Sequence, residues 1–284
     1  MTVNESFDAI RLTVDNRATA IRIACELEAF APKLGNVHPQ ASFEDCSLRD
    51  FLEAAKQVAP VLGNSDPQVG LGTRVLDAVR TTREVTAANV NLGIILLIAP
   101  LAMARDRHDL RNVLGSLTPH DGQLVFEAIR VASPGGMQRD DVAPECDVET
   151  PQTQAIDLVA AMRQAAYRDR IALQYATDFA DFFERVVPVV SNHLSRPIAA
   201  TEAIVDAQLQ LLSTDLDSLI VRKCGLDVAF EARARAIDCL SNDSLQGRQS
   251  FDRWLRADKN RRNPGTTADF LAAALYWLLI NDRD

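Results

Sequence analysis

Two amides and a glycine, Asn89, Asn91 and Gly93, stand at the start of the almost purely apolar run 94–104. A run of that composition must be buried, and it draws its polar start into the middle of the molecule. A buried helix that begins this way presents free backbone N–H groups and the positive end of its dipole, which suits an anion such as phosphate. The competing use of the same residues is capping, with Asn89 or Asn91 accepting from a first-turn N–H. A similar start occurs at residues 263–269 (NPGTTAD), where Asn263, Gly265, Thr266 and Thr267 open a final apolar helix and Thr266 with Asp269 has capping-box spacing. Two buried helix starts in one chain suggest a phosphate-chain site more than either does alone.

Two further groupings carry charge. Asn36, His38, Glu44 and Asp45 fall on and just after the loop 33–40 (KLGNVHPQ). The carboxylates suit Mg²⁺, which takes few protein ligands and lets phosphates complete its shell; the plainer reading is an acidic turn ahead of a helix. Asp215, Ser218 and Arg222, with Asp217 and Lys223 beside them, are spaced to share one helical face. Arg222 offers a fork for phosphate, or with Lys223 it complements the helix C-terminus. No phosphate-binding glycine loop, dinucleotide fingerprint, Ser-His-Asp order or paired-histidine metal motif is present.

The elements that must position these groups read as helices throughout. Apolar residues recur at spacings of three and four over 7–30, 48–61, 69–86, 109–114, 119–131, 152–164, 168–187 (broken near Pro188), 197–221, 229–240, 245–256 and 266–280. Opposite the apolar face of 69–86, Arg74, Asp77, Thr81 and Glu84 form a polar stripe that leads towards Asn89. Residues 133–150, rich in proline, glycine and acid, read as the longest loop and a plausible lid. The expectation is all-α: a single compact multi-helix domain spanning 1–284, with buried central helices.

Composition narrows the partners. The formal net charge is −9 with no long basic block, which speaks against nucleic acid as the main partner. The five cysteines are scattered, which disfavours disulfide or zinc frameworks and points to a reducing compartment. The acidic, amphipathic N-terminus is not a signal peptide, and 94–104 is too short to span a bilayer. A cytoplasmic, soluble protein with no membrane partner is expected; a homo-oligomer is compatible with the sequence.

Taken together, KLGNVHPQASFED, VRTTREVTAANVNLGIILLIAPLA, STDLDSLIVRKCG and NPGTTADFLAAALYWLL resemble, in order and spacing, the triphosphoribosyl-dephospho-CoA synthase family over nearly the whole chain. Leu34 stands where the family has Pro. Val90, Asn91 and Leu92 replace the Thr-His-Lys of citrate-lyase-associated members, and Asn263-Pro264-Gly265-Thr266-Thr267-Ala268-Asp269 replaces Ser-Pro-Gly-Gly-Ser-Ala-Asp, so the match is to a divergent branch. The resemblance implies a pentosyl transferase that moves the triphosphoribosyl group of ATP to a ribose hydroxyl of 3'-dephospho-CoA, releasing adenine, with Mg²⁺. On that reading His38, Glu44, Asp45 and Glu84 are candidates for catalysis, and Glu44, Asp45 and Glu84 for the metal. Asn36, Arg80, Asn89, Asn91, Gly93, Asp215, Arg222, Lys223, Asn263, Gly265, Thr266, Thr267 and Asp269 are candidates for substrate contacts. The alternatives are the same ATP chemistry on a pterin-type coenzyme acceptor, or a non-catalytic nucleotide-binding helical protein.

Overall fold

The computed structural model describes residues 6–132 and 155–281. It is all-helical: α1 (Phe7–Arg11), α2 (Arg17–Phe30), α3 (Leu48–Leu62), α4 (Leu71–Val85), α5 (Leu92–Met103), α6 (Arg107–Gly115), α7 (Pro119–Ala132), α8 (Leu158–Ala165), α9 (Arg170–Ala176), α10 (Val187–Leu194), α11 (Ala200–Thr214), α12 (Ser218–Cys224), α13 (Leu226–Asn242), α14 (Leu245–Arg256) and α15 (Gly265–Ile280). Among the described residues the only β pairing is the isolated bridge between His38 and Ala41.

The two apolar runs form the centre. α5 packs against α3, α4, α6, α9 and α15, while α15 also touches α2, α10, α11 and α12. α5 carries Pro100, whose ring deprives the carbonyl of Leu96 of its helical donor. The fully buried Tyr175 supplies the missing bond from its hydroxyl, at 2.6 Å. A smaller apolar cluster gathers Leu34, Leu209, Ile220, Ala236, Phe251 and Leu255 from the 33–38 loop and α11–α14. No helix among the described residues is long and apolar enough to cross a membrane.

Helix positions agree with the expectation, but several long spans are divided by polar side chains. The expected helix 7–30 is two, because Asn16 caps α2 by accepting from the Thr19 amide at 2.8 Å. The expected span 197–221 breaks at 215–217, where Asp217 caps α12, so Asp215, Ser218 and Arg222 do not share a helical face. The span 168–187 breaks not at Pro188 but at Asp178 and Phe179, both with positive φ. Beyond them a π-helical turn (Phe182–Val186) runs into α10, and Pro188 sits in the first turn of α10, where its lack of an N–H costs little. α8 begins only at Leu158, behind its cap Asp157. Arg74 is not part of a solvated stripe: it is buried and donates to the carbonyls of Asn64, Asp66 and Val69, tying down the turn after α3. The loop expected at 133–150 lies outside the described residues.

Candidate active site

The two polar helix starts meet. A Cβ at Gly93 would collide with Oδ2 of Asp269 and stand 2.8 Å from Cδ1 of Ile171, so the first turn of α5 lies directly against α15, one turn in from its start, and against the first turn of α9. Only a residue without a side chain permits that approach.

Asp217 fixes the other side. Its Oδ1 accepts from the amides of Leu219 (3.0 Å) and Ile220 (3.1 Å), capping α12. Its Oδ2 accepts from the amide (2.7 Å) and the hydroxyl (2.8 Å) of Thr267. Ser218 Oγ lies 3.0 Å from Thr266 Oγ1 and accepts from the amide of Arg170 at 3.4 Å. Side-chain oxygens therefore satisfy amides at the starts of α9, α12 and α15 and hold the three starts together. Asp169, the cap of α9, faces Arg222 at 3.3 Å.

Behind this junction lies a buried ion pair. Lys33, with its side chain fully inaccessible, reaches Glu28 of α2 at 2.8 Å and also donates to the Glu28 carbonyl. Such a pair persists only when both partners are satisfied. Asp269 has no comparable partner: no hydrogen bond or ion pair among the described residues reaches its carboxylate. The residue is only partly buried and keeps an opening to solvent. Burial, then the charges of Glu28, Asp217 and Asp169, push its pKa well above the usual carboxylate range, against a smaller opposing pull from Arg222. Burial also raises Asp217 despite its four bonds.

Of the residues singled out from sequence, Gly93, Gly265, Thr266, Thr267 and Asp269 line this junction, and Arg222 approaches it through Asp169. Thr266 and Asp269 do not form a capping box: Pro264 takes the cap position, no side-chain cap bond forms, and Asp269 lies a full turn inside the helix. Asn91 turns its amide onto Thr82 of α4, at 3.0 Å, and caps nothing; Asn89 is exposed and accepts from the Leu92 amide at 3.4 Å. Asn36 and Asn263 bond to each other at 2.6 Å, and Gln208 of α11 clasps Asn36 and Leu34.

The remaining candidates lie apart from the junction or are committed elsewhere. His38 pairs with Gln40 at 2.9 Å, and burial lowers its pKa, so its ring is neutral near pH 7. Asp215 joins Arg170, Asp181 and Arg185 in an ion-pair network. Arg80 pairs with Glu127, and Glu84, one turn on, is exposed with it on the outer face of α4. Glu44 is exposed beside Lys259, and Asp45 takes a bond from Asn260. Lys223 donates to the Asn260 carbonyl at 3.5 Å, and burial lowers its pKa. Glu44, Asp45 and Glu84 therefore do not gather into a metal cage, and among the described residues no three His, Cys, Asp or Glu side chains do.

Sequence reasoning passed over Glu28 and Lys33. The signal was present for Glu28: it occupies a position of the apolar stripe Ile21, Ala24, Cys25, where a carboxylate is out of place.

The sequence match to a family model makes this all-helical chain a transferase of the synthase type. The family model for ATP:dephospho-CoA triphosphoribosyl transferase (CitG) matches residues 15–284, and the chain belongs to that family. It is similar in structure to a protein from Archaeoglobus fulgidus provisionally assigned as a triphosphoribosyl-dephospho-CoA synthase. The TM-score is 0.63 at 23% identity, over 83% of this chain and 100% of that one. At that identity the likeness speaks for the fold. The comparison with curated proteins returns no match.

Proposed function

We propose that this chain binds ATP at the junction of α5 and α15 and transfers its triphosphoribosyl group to a ribose hydroxyl of 3'-dephospho-CoA, with adenine as the leaving group. The observation that carries this reading is the partnerless carboxylate of Asp269, pressed against Gly93 where the two helix starts meet. Loss of adenine leaves positive charge on ribose C1, and a carboxylate held ready beside it stabilises that charge in the transition state. The triphosphate needs the opposite sign. Arg222, a third exposed, is a nearby cation, and Mg²⁺ travels with the phosphates; Glu44, Asp45 and Glu84 do not form a site for it, and no step depends on them.

The test is chromatographic detection of free adenine from ATP, with and without dephospho-CoA. Adenine that appears only with dephospho-CoA supports the reading; its absence with every acceptor offered turns the assignment towards a nucleotide-binding protein without catalysis. Leu92 favours a second reading. It is buried in the main apolar core, so the position where related sequences carry Lys presents no cation here, and an acceptor of the pterin-coenzyme type would not call on one. Adenine release with such an acceptor and none with dephospho-CoA would select it.

A further inference from the structure

We propose that Asn263 binds a phosphate oxygen of ATP through its side-chain NH₂ group, and that Gln208 and Asn36 are positioning residues that turn this group outward. The proposal deepens the triphosphoribosyl-transfer reading and rests on it.

The direction of the three amides follows from the backbone of Leu34. Its N–H can only donate and its carbonyl can only accept. The fully buried Gln208 must therefore turn Oε1 to the N–H, at 2.8 Å, and Nε2 to the carbonyl, at 2.9 Å. Nε2 also donates to Asn36, 2.8 Å away, which must meet it with Oδ1. Asn36, itself buried, is left to offer Nδ2 to Asn263, and Asn263 accepts with its own Oδ1 at 2.6 Å. Each amide forces the next. The chain ends on Asn263 Nδ2, two N–H donors with no partner among the described residues.

That group stands where α15 opens to solvent. Over 265–279 every residue is buried except Gly265 and Asp269, which are four apart and share one face of the helix. A Cβ at Gly265 would lie 3.9 Å from Asn263 Nδ2, so the NH₂ group sits over the first of these openings. Asn263 presents donors only on this side, and the group that suits it accepts without donating. Phosphate oxygens do so, whereas a ribose hydroxyl also needs an acceptor. The same stretch of chain supplies positive charge. Arg262 stacks on Trp254 at 4.5 Å and donates to the Trp254 carbonyl at 3.1 Å, and among the described residues no carboxylate pairs with it. A donor locked by a buried network is in place before ATP arrives, which spares the ordering cost of binding.

ATP binding is measured by isothermal titration, without acceptor, for the parent chain, Asn263→Ala, Asn263→Asp, Asn36→Asp and the double variant Asn36→Asp with Asn263→Ala, beside a thermal melt of each. Asn263→Ala weakens ATP about 10–100-fold, the worth of a hydrogen bond to a charged group. Asn263→Asp weakens it further, because its outward oxygen meets phosphate with like charge. In adenine release the loss falls on KM for ATP while kcat changes little. Asn36→Asp accepts from Gln208 with one oxygen and from Asn263 with the other. Asn263 then turns its own oxygen outward, and ATP affinity falls although Asn263 is intact. In the Asn263→Ala background the same change has no further effect. Parental affinity in Asn263→Ala overturns the phosphate contact, and so does affinity restored by Asn263→Asp, which would mark a hydroxyl as the ligand. An equal loss from Asn36→Asp in both backgrounds is the plain effect of added charge and overturns the orienting role. Where Asn36→Asp melts below the assay temperature, Asn36→Leu, which cannot direct the amide, goes through the same cycle. Either failure in a parent chain that binds ATP and releases adenine leaves the transfer reading standing; a parent chain that binds no ATP overturns both.

Discussion

At the scale of single residues the junction is held by features that substitution can separate. Gly93→Ala sets a methyl group against Asp269 Oδ2 and Ile171 Cδ1. Overpacking of this kind costs about 1–3 kcal/mol, and the displaced carboxylate should lower adenine release as well; a melt and a rate both like the parent's would show that the approach is not tight in solution. Lys33→Met leaves the buried Glu28 carboxyl without its partner, at a cost of about 3–5 kcal/mol. Adding Glu28→Gln should recover much of that loss in a denaturant titration, and no recovery would mean that the two charges are not coupled. Two carboxyls have opposite effects on pH dependence. The folded pKa of Asp269 is raised above its unfolded value, so ionisation penalises the fold as pH rises past about 3.9. Asp121 is the reverse case: burial works against its charge, but bonds from Thr118 and the Gly72 amide prevail and hold its pKa down. Its contribution is present above about pH 3.9 and is lost as pH falls through its lower folded value. Asp121→Asn should therefore melt below the parent at neutral pH, with the difference closing in acid; a gap that is constant with pH would remove that account.

At the scale of elements, the decisive device is one carboxylate serving two helices. Asp217 caps α12 with one oxygen and anchors the start of α15 with the other. Asparagine offers a single acceptor oxygen, so Asp217→Asn must leave one helix start unmet and turn an NH₂ group against N–H donors. The loss of those bonds is worth roughly 1–3 kcal/mol, and it should reduce adenine release because Thr267 loses its footing. A variant with parental stability and rate would show that water replaces the missing acceptor. The same device explains why the span 197–221 is two helices: apolar periodicity continues across residues 215–217, but Asp217 binds backbone amides better as a cap than within a helix.

At the scale of the whole molecule, stability should be uneven. α5 and α15 are enclosed on nearly all sides by the main core, whereas α13 and α14 rest on the smaller cluster and α13 turns Leu226, Phe230 and Ile237 to solvent. Helices with fewer enclosing partners open locally at lower free energy. Amides of α13 and α14 are expected to exchange with deuterium faster than those of α5 and α15 under native conditions; equal protection across all four would show that the two clusters unfold as one unit.

Periodicity in the sequence was enough to determine an all-helical chain, because spacings of three and four fix which face of each helix is buried wherever the rest of the molecule lies. The apolar runs at 94–104 and 268–280 likewise determined which helices are central, and the polar residues before them marked Gly93 and Thr266 as more than loop. Two of the helix boundaries were decided by single side chains, Asn16 and Asp217, whose local bonds compete with the helix and leave little trace in periodicity. Tertiary structure alone decided which marked residues meet. Asn91 faces Thr82, Glu84 faces outward and Asp215 answers Arg170, because neighbouring helices supply those partners. Asp269, read from sequence as part of a cap, was left without a hydrogen-bonding partner where α5 packs on α15, while Glu28 of α2 found its partner in Lys33 of the following loop. A side chain's charge and spacing belong to the sequence; whether that charge is paired, solvated or stranded depends on residues far along the chain.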